Sequence, residues 1–329
     1  MSLTLRWCLI AGLAFLTPSV LAHHSVAYYS SERIELAGEI TEIRWQNPHI
    51  RFALRAIGSD GAEKTWRLES SSIFLREKDG VTRELFRVGD HVRVFGRSSS
   101  HDAAAMLVTN MLLPDGREAP LWPNTGPHFV RADKWITAQP QLVDGVRENR
   151  GIFRVWRPKE VSLASLPYTD AAIAARTSFD MLAAAERCGP EGMPRIMMTL
   201  FPYEFIDRGS DIRVRTELYD TERIVHMDRT APPAGEPRSV LGYSVGEWRD
   251  GALVIQTSLS NWPYFDQIGT PLSEDVRIEE RYSLSDDQTR LDLEITVTDP
   301  TTFKSPAIIR NSWLAYGDTI QRYDCQKAN

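Results

Sequence analysis

Cysteine is scarce in this chain, three in 329 residues, which excludes a disulfide-dense scaffold and a cysteine-rich zinc ribbon. Positive charge is not in excess either. Lys and Arg number 38 against 44 Asp and Glu, a formal charge of −6, so the overall field repels nucleic acid and anionic membranes. Beyond residue 22 no apolar run approaches the roughly 20 residues that a membrane helix requires. A Gly-rich dinucleotide loop, a P-loop and internal repeats are all missing. What is present, 42% hydrophobic and 25% charged residues, is the composition of a folded globular chain, and the length suits two domains.

The N-terminus carries an export signal pattern. Arg6 precedes a short apolar run over 7–16, and Val20-Leu21-Ala22 supplies a cleavage site. Cleavage after Ala22 predicts a periplasmic or secreted protein with no transmembrane segment. It also removes Cys8 and leaves Cys188 and Cys325. Two cysteines in an oxidising compartment predict one disulfide. Such a bridge would close a long loop and contribute about 4–5 kcal/mol in the chain-entropy picture.

The pattern predicts an all-β protein. Over 34–45 apolar and polar residues alternate at the two-residue period of a half-buried strand, and 50–56, 64–69, 91–96 and 105–113 read as the strands that follow. A short helix is expected within 70–86. Five strands with a helix before the fourth is the order of an OB-like small barrel, over 23–116. Residues 117–150 are punctuated by proline and read as an ordered connector, with Trp122, Phe129 and Trp135 expected to pack across the domain junction. From 151 to 329, roughly ten short strands with tight turns predict a lipocalin-like antiparallel barrel. One helix, capped at Thr169-Asp170 and running to Arg187, is expected to pack on it.

Two sets of motifs carry a resemblance. Ala22-His23-His24-Ser25 with Asn47-Pro48-His49 resembles an uncharacterised family of exported bacterial domains, over about residues 22–114. The second half is similar to another uncharacterised secreted domain. The matching pieces are Cys188-Gly189-Pro190, Arg223 to Asp228, Gly246 to Ile255, Glu280-Arg281-Tyr282 and Tyr323-Asp324-Cys325. That domain implies a histidine after the proline near Pro271, where this chain has Leu272. Neither resemblance implies a reaction.

Three groups of residues carry candidate chemistry. The first is metal binding: cleavage after Ala22 exposes the His23 amine, which titrates near pH 8. With the His23 or His24 imidazole and His49 it would form a nitrogen-rich set suited to Cu(II), and less specifically to Zn(II). Second, His226 and Asp228 lie two apart on a strand and share a face; with Glu280 or Asp266 they would form an acid–base group. Third, Trp248, Trp262, Tyr264, Phe265, Trp313 and Tyr316 would line an apolar pocket in the second barrel. The leading expectation is a small apolar ligand bound in that barrel, with a metal site at the N-terminus. The alternatives are an enzyme (hydratase, isomerase or hydrolase) acting on a hydrophobic substrate there, and a periplasmic copper-binding accessory protein.

Overall fold

The computed structural model describes residues 29–57, 61–100, 102–137, 150–159, 163, 165–176, 189, 191–317 and 320–323. The signal segment, His23, His24, Cys188, Cys325 and the helix expected beyond Arg176 lie outside them.

The first domain is a small barrel built from β1 (Tyr29–Arg44), β2 (Arg51–Ile57), β3 (Glu63–Glu69), β4 (His91–Ser99) and β5 (Ala105–Leu112). β1 pairs with both β2 and β4, β2 with β3, and β4 with β5, all antiparallel; a parallel β3–β5 ladder closes the ring. Helix α1 (Ile73–Glu77) stands between β3 and β4, so the order expected of an OB-like domain is realised. One long strand serves two neighbours because β1 bends, with an irregularity between Ile40 and Glu42. Glycine allows the close approach: a Cβ on Gly38 would strike the Arg55 carbonyl, and one on Gly96 the Leu107 carbonyl. Ile40, Leu54, Leu68, Val94 and Met111 fill the interior.

A short β6 (Glu118–Pro120) adds to β5 and carries the first sheet past residue 116. The connector does not pack where the sequence suggested. Glu118 is fully buried, and its carboxylate accepts the backbone N–H groups of His128, Phe129 and Val130 at 2.8–3.0 Å. That staple folds 121–137 back on the small barrel: His128 stacks on Phe95 and Phe129 lies under the Arg93 guanidinium.

The second domain is a closed nine-strand barrel. Its strands are β7 (Val155–Arg157), β8 (Tyr203–Asp207), β9 (Asp211–Thr216), β10 (Thr221–His226), β11 (Tyr243–Arg249), β12 (Ala252–Ser258), β13 (Arg277–Leu284), β14 (Arg290–Thr298) and β15 (Ala307–Gly317). Neighbours pair antiparallel except β10 and β11, whose two-residue parallel contact, Val225 on Ser244 and His226 on Val245, completes the ring. Residues 196–200, an apolar run that reads as one of the barrel strands, instead hold a buried 3-10 turn, Arg195–Met198, that contributes Ile196, Met197 and Met198 to the barrel core. Helix α2 (Asp170–Ala174) begins as expected, with Thr169 accepting from the Ala172 N–H. No helix among the described residues is long and apolar enough to cross a membrane.

The two domains meet through α1, β15 and the tail. The Phe74 ring meets Tyr316 edge-on, and the Tyr316 hydroxyl donates to Glu77 at 2.8 Å. Asn47 bridges to Tyr323.

Candidate functional site

The turn that carries His49 is fixed from three sides. Asn47, on a cis Asn47–Pro48 peptide, is fully buried and its Oδ1 accepts the Ile73 N–H at the start of α1. Ile50 exchanges backbone hydrogen bonds with Ser70 and Ser71. His49 Nδ1 lies 3.0 Å from the Ser70 carbonyl. A carbonyl only accepts, so Nδ1 carries the proton and Nε2 is the basic nitrogen, the arrangement that orients metal-ligating histidines.

His49 follows the end of β1, where Arg44 pairs with Arg51, whereas the beginning of β1 sets Tyr29 beside Ser99 at the end of β4. Burial raises the Tyr29 hydroxyl pKa, Glu69 adds to the rise, and Arg51 opposes it. Arg51 and Glu69 are themselves paired at 3.2 Å, one residue from the Ile50–Ser70 contact. Among the described residues no three His, Cys, Asp or Glu side chains form a metal cluster.

The acid–base group does not assemble. Along β10, Thr221, Arg223 and Val225 are buried, whereas His226 belongs to the opposite face and stacks on Tyr243, centroids 4.6 Å apart. Asp228 follows the strand and is exposed beside Arg229. Glu280 points inward, fully buried. Arg223 Nη1 and Nη2 donate to its two oxygens at 2.6 and 3.1 Å, and the Tyr282 hydroxyl donates at 2.7 Å. Burial pulls the Arg223 pKa down, but Glu280 and Tyr282 together outweigh it and the net shift is upward. Burial drives the Tyr282 hydroxyl well above its ordinary range. Arg281 adjoins Glu280 in the chain but is not its partner. Alternation turns Arg281 outward, and Arg223 reaches Glu280 from across the barrel.

Asp266 is also buried, in a different place. It accepts from Thr270 Oγ1 at 2.6 Å, from the Ile268 and Thr270 N–H groups, and from the Tyr168 hydroxyl. It organises its own loop, where Arg176 caps the Tyr168 ring and donates to Thr270. Burial raises the Tyr168 pKa to about 12, with Asp266 adding to the shift.

The aromatic candidates separate by position. Trp313 lies at the centre of the barrel, stacked on Tyr203 at 4.5 Å and met by Tyr282 at 5.7 Å. Phe265 is fully buried against Phe303. Trp262 and Tyr264 are half-buried in the loop after β12, and Gly192 leaves room for Trp262, since a Cβ there would overlap its side chain. Trp248 shares the inward face with Leu253, its register partner, but stands at the rim, 50% exposed and 6.3 Å from Phe153. Tyr316 is at the domain junction. The interior is therefore filled by its own side chains: Trp156, Tyr203, Phe205, Tyr282 and Trp313 are all buried beyond water contact.

On the outside of the small barrel the arginines are held by carboxylates: Arg44 by Glu42, Arg51 by Glu69, Arg55 by Glu39, Arg67 by Asp102 and Arg93 by Glu35.

No curated protein matches the chain. A solved protein of unknown function from the DUF3598 family, from Nostoc punctiforme PCC 73102, is 10% identical, with 86% of this chain and 95% of that one covered; the TM-score is 0.22, too low to carry fold or function. Residues 12–106, which span both histidine motifs, match the model of a family described only as being of unknown function, DUF6152.

Proposed function

We propose that this is an exported metal-binding protein. Its site would consist of the amine released by cleavage after Ala22, the His23 or His24 imidazole, and His49 Nε2. A set of nitrogen donors favours Cu(II) over the other common divalent ions. The observation that carries this reading is the His49–Ser70 hydrogen bond: it presets the imidazole tautomer on a turn held by Asn47. Four residues lie between His24 and Tyr29, and an extended chain covers about 3.3–3.6 Å per residue, so His24 can stand up to about 16–18 Å from Tyr29. The test is Cu(II) titration of protein beginning at His23, of protein with one extra residue before His23, and of His49→Ala. The reading expects affinity to fall at least about tenfold in both altered proteins. Equal, weak binding by all three would overturn it.

A second reading, a small apolar molecule bound at the large barrel, draws on different atoms. Trp313 Nε1 and Arg223 Nε are buried donors without a hydrogen-bond acceptor, and Trp248 with Phe153 forms an aromatic rim on the same inward face. A planar ligand carrying an acceptor oxygen would match that set, but only with displacement of side chains that now fill the interior. For this reason the metal reading stands first.

A further inference from the structure

Glu217 is the residue that neither reading uses and that the fold treats least economically. It sits before the 3-10 turn Leu218–Asp220 that joins β9 to β10, only 1% exposed. Its Oε1 accepts the Gln321 N–H at 2.8 Å, which ties the C-terminal segment to the barrel, while Oε2 is buried without a hydrogen-bond partner. A carboxylate in that state loses its hydration and gains one hydrogen bond in return.

The surroundings make ionisation harder still. Glu77 approaches from α1, the other domain's contribution to the junction, and repels a charge on Glu217; Asp220 does the same from the turn itself. Glu77 is in turn shifted upward by burial and by the neighbouring Glu84, against a hydrogen bond from Tyr316. From β15, Tyr316 faces both Glu77 and Glu217; from β7, Arg157 supplies the positive charge that acts on Tyr316. On α1, Arg76 is occupied by Asp79 at 3.0 Å. From the tail come Gln321, the exposed Arg322, and Tyr323, whose N–H is held by Asp220 at 3.0 Å.

We propose that the junction between the two domains is a proton-operated clasp, closed while Glu217 is protonated and loosened when it ionises next to Glu77. The direction follows from linkage. Burial raises Glu217 from 4.5 to about 7, so the folded junction holds a proton that the opened one releases. Its contribution is complete below the ordinary carboxylate range and is lost as pH rises through about 7. In an exported protein the pH is that of the surroundings, so the clasp would respond to external pH.

Three amides donate across this region: Ile73 to Asn47, Gln321 to Glu217 and Tyr323 to Asp220. Their hydrogen-exchange protection, corrected for the intrinsic pH dependence of exchange, reads the clasp directly. In the unaltered protein protection should fall by at least about tenfold between pH 5.5 and 8.5, with the β13 amides unchanged. Glu217→Gln, which mimics the neutral acid, should flatten the profile, and Glu77→Gln, which removes a charge that raises the Glu217 pKa, should move the loss to lower pH and shrink it. The same profile in Glu217→Gln as in the unaltered protein overturns the clasp, as does a fall shared equally by junction and barrel core.

Discussion

In the five-strand barrel, Ile40, Leu54, Leu68, Val94 and Met111 fill the interior while arginines and carboxylates form pairs on the outer surface. In the nine-strand barrel a guanidinium, a carboxylate and a phenol meet inside, among Trp313, Tyr203 and Phe205. Strand number accounts for the difference, because barrel diameter grows with it. Five strands leave room for one layer of aliphatic side chains. Nine strands leave a space that aliphatics alone would not span, so long side chains cross it, and Arg223 on β10 reaches Glu280 on β13 above Gly246 and Ile255. The wider barrel thus gains a filled interior and inherits the desolvation of two charges.

The sharpest way to break that comparison is to remove one charge. Glu280→Ala strands the Arg223 guanidinium in the core and should cost the large barrel about 3–5 kcal/mol, measured by urea unfolding. Replacing both, as Arg223→Met with Glu280→Leu, should restore most of the loss, since a matched apolar pair removes the desolvation along with the attraction. If the double variant stayed as unstable as the single one, the pair would be a net source of stability and not a consequence of width.

Next in size is a pair of tryptophans on the same inward face. Trp313→Ala empties the centre of the barrel and should cost about 3–5 kcal/mol. Trp248→Ala acts at the rim, where half the side chain already meets water, and should stay within about 0.5 kcal/mol. Thermal unfolding of the two variants separates a structural centre from a spare rim. Of the two, only the rim residue is free to serve a ligand.

Alternation made most of this fold legible. β2, β3, β4, β13 and β14 follow the two-residue period closely, and Thr169 marks the start of α2. Three features were not legible. The 196–200 segment reads as a strand because Ile196, Met197 and Met198 are consecutive and apolar, but a run buried on all sides looks alike in a strand and in a plug. The connector's direction was set by one buried carboxylate, Glu118, which accepts backbone groups that carry no sequence signature. Partner choice across a barrel was also hidden: Arg223 and Glu280 are 57 positions apart, and only ring closure brings them together. By contrast, His49 was visible as a candidate through its place beside Asn47-Pro48, while the Ser70 carbonyl that orients it was not, since any residue supplies a carbonyl.

The smallest expected effect tests the comparison most cleanly, because it repeats the same chemistry in the other environment. Arg55 and Glu39 form a guanidinium–carboxylate pair on facing strands of the small barrel, with the arginine side chain 48% exposed. Water screens that attraction, and two long side chains lose rotamer freedom to hold it, so exposed pairs contribute roughly 0–1 kcal/mol. A double-mutant cycle over Arg55→Ala and Glu39→Ala should therefore give a coupling below about 1 kcal/mol that shrinks further in high salt. The corresponding cycle over Arg223 and Glu280 should be several times larger and almost indifferent to salt, because ions do not enter a dry interior. Were the two couplings equal, side-chain geometry rather than barrel width would govern how this chain places its charges.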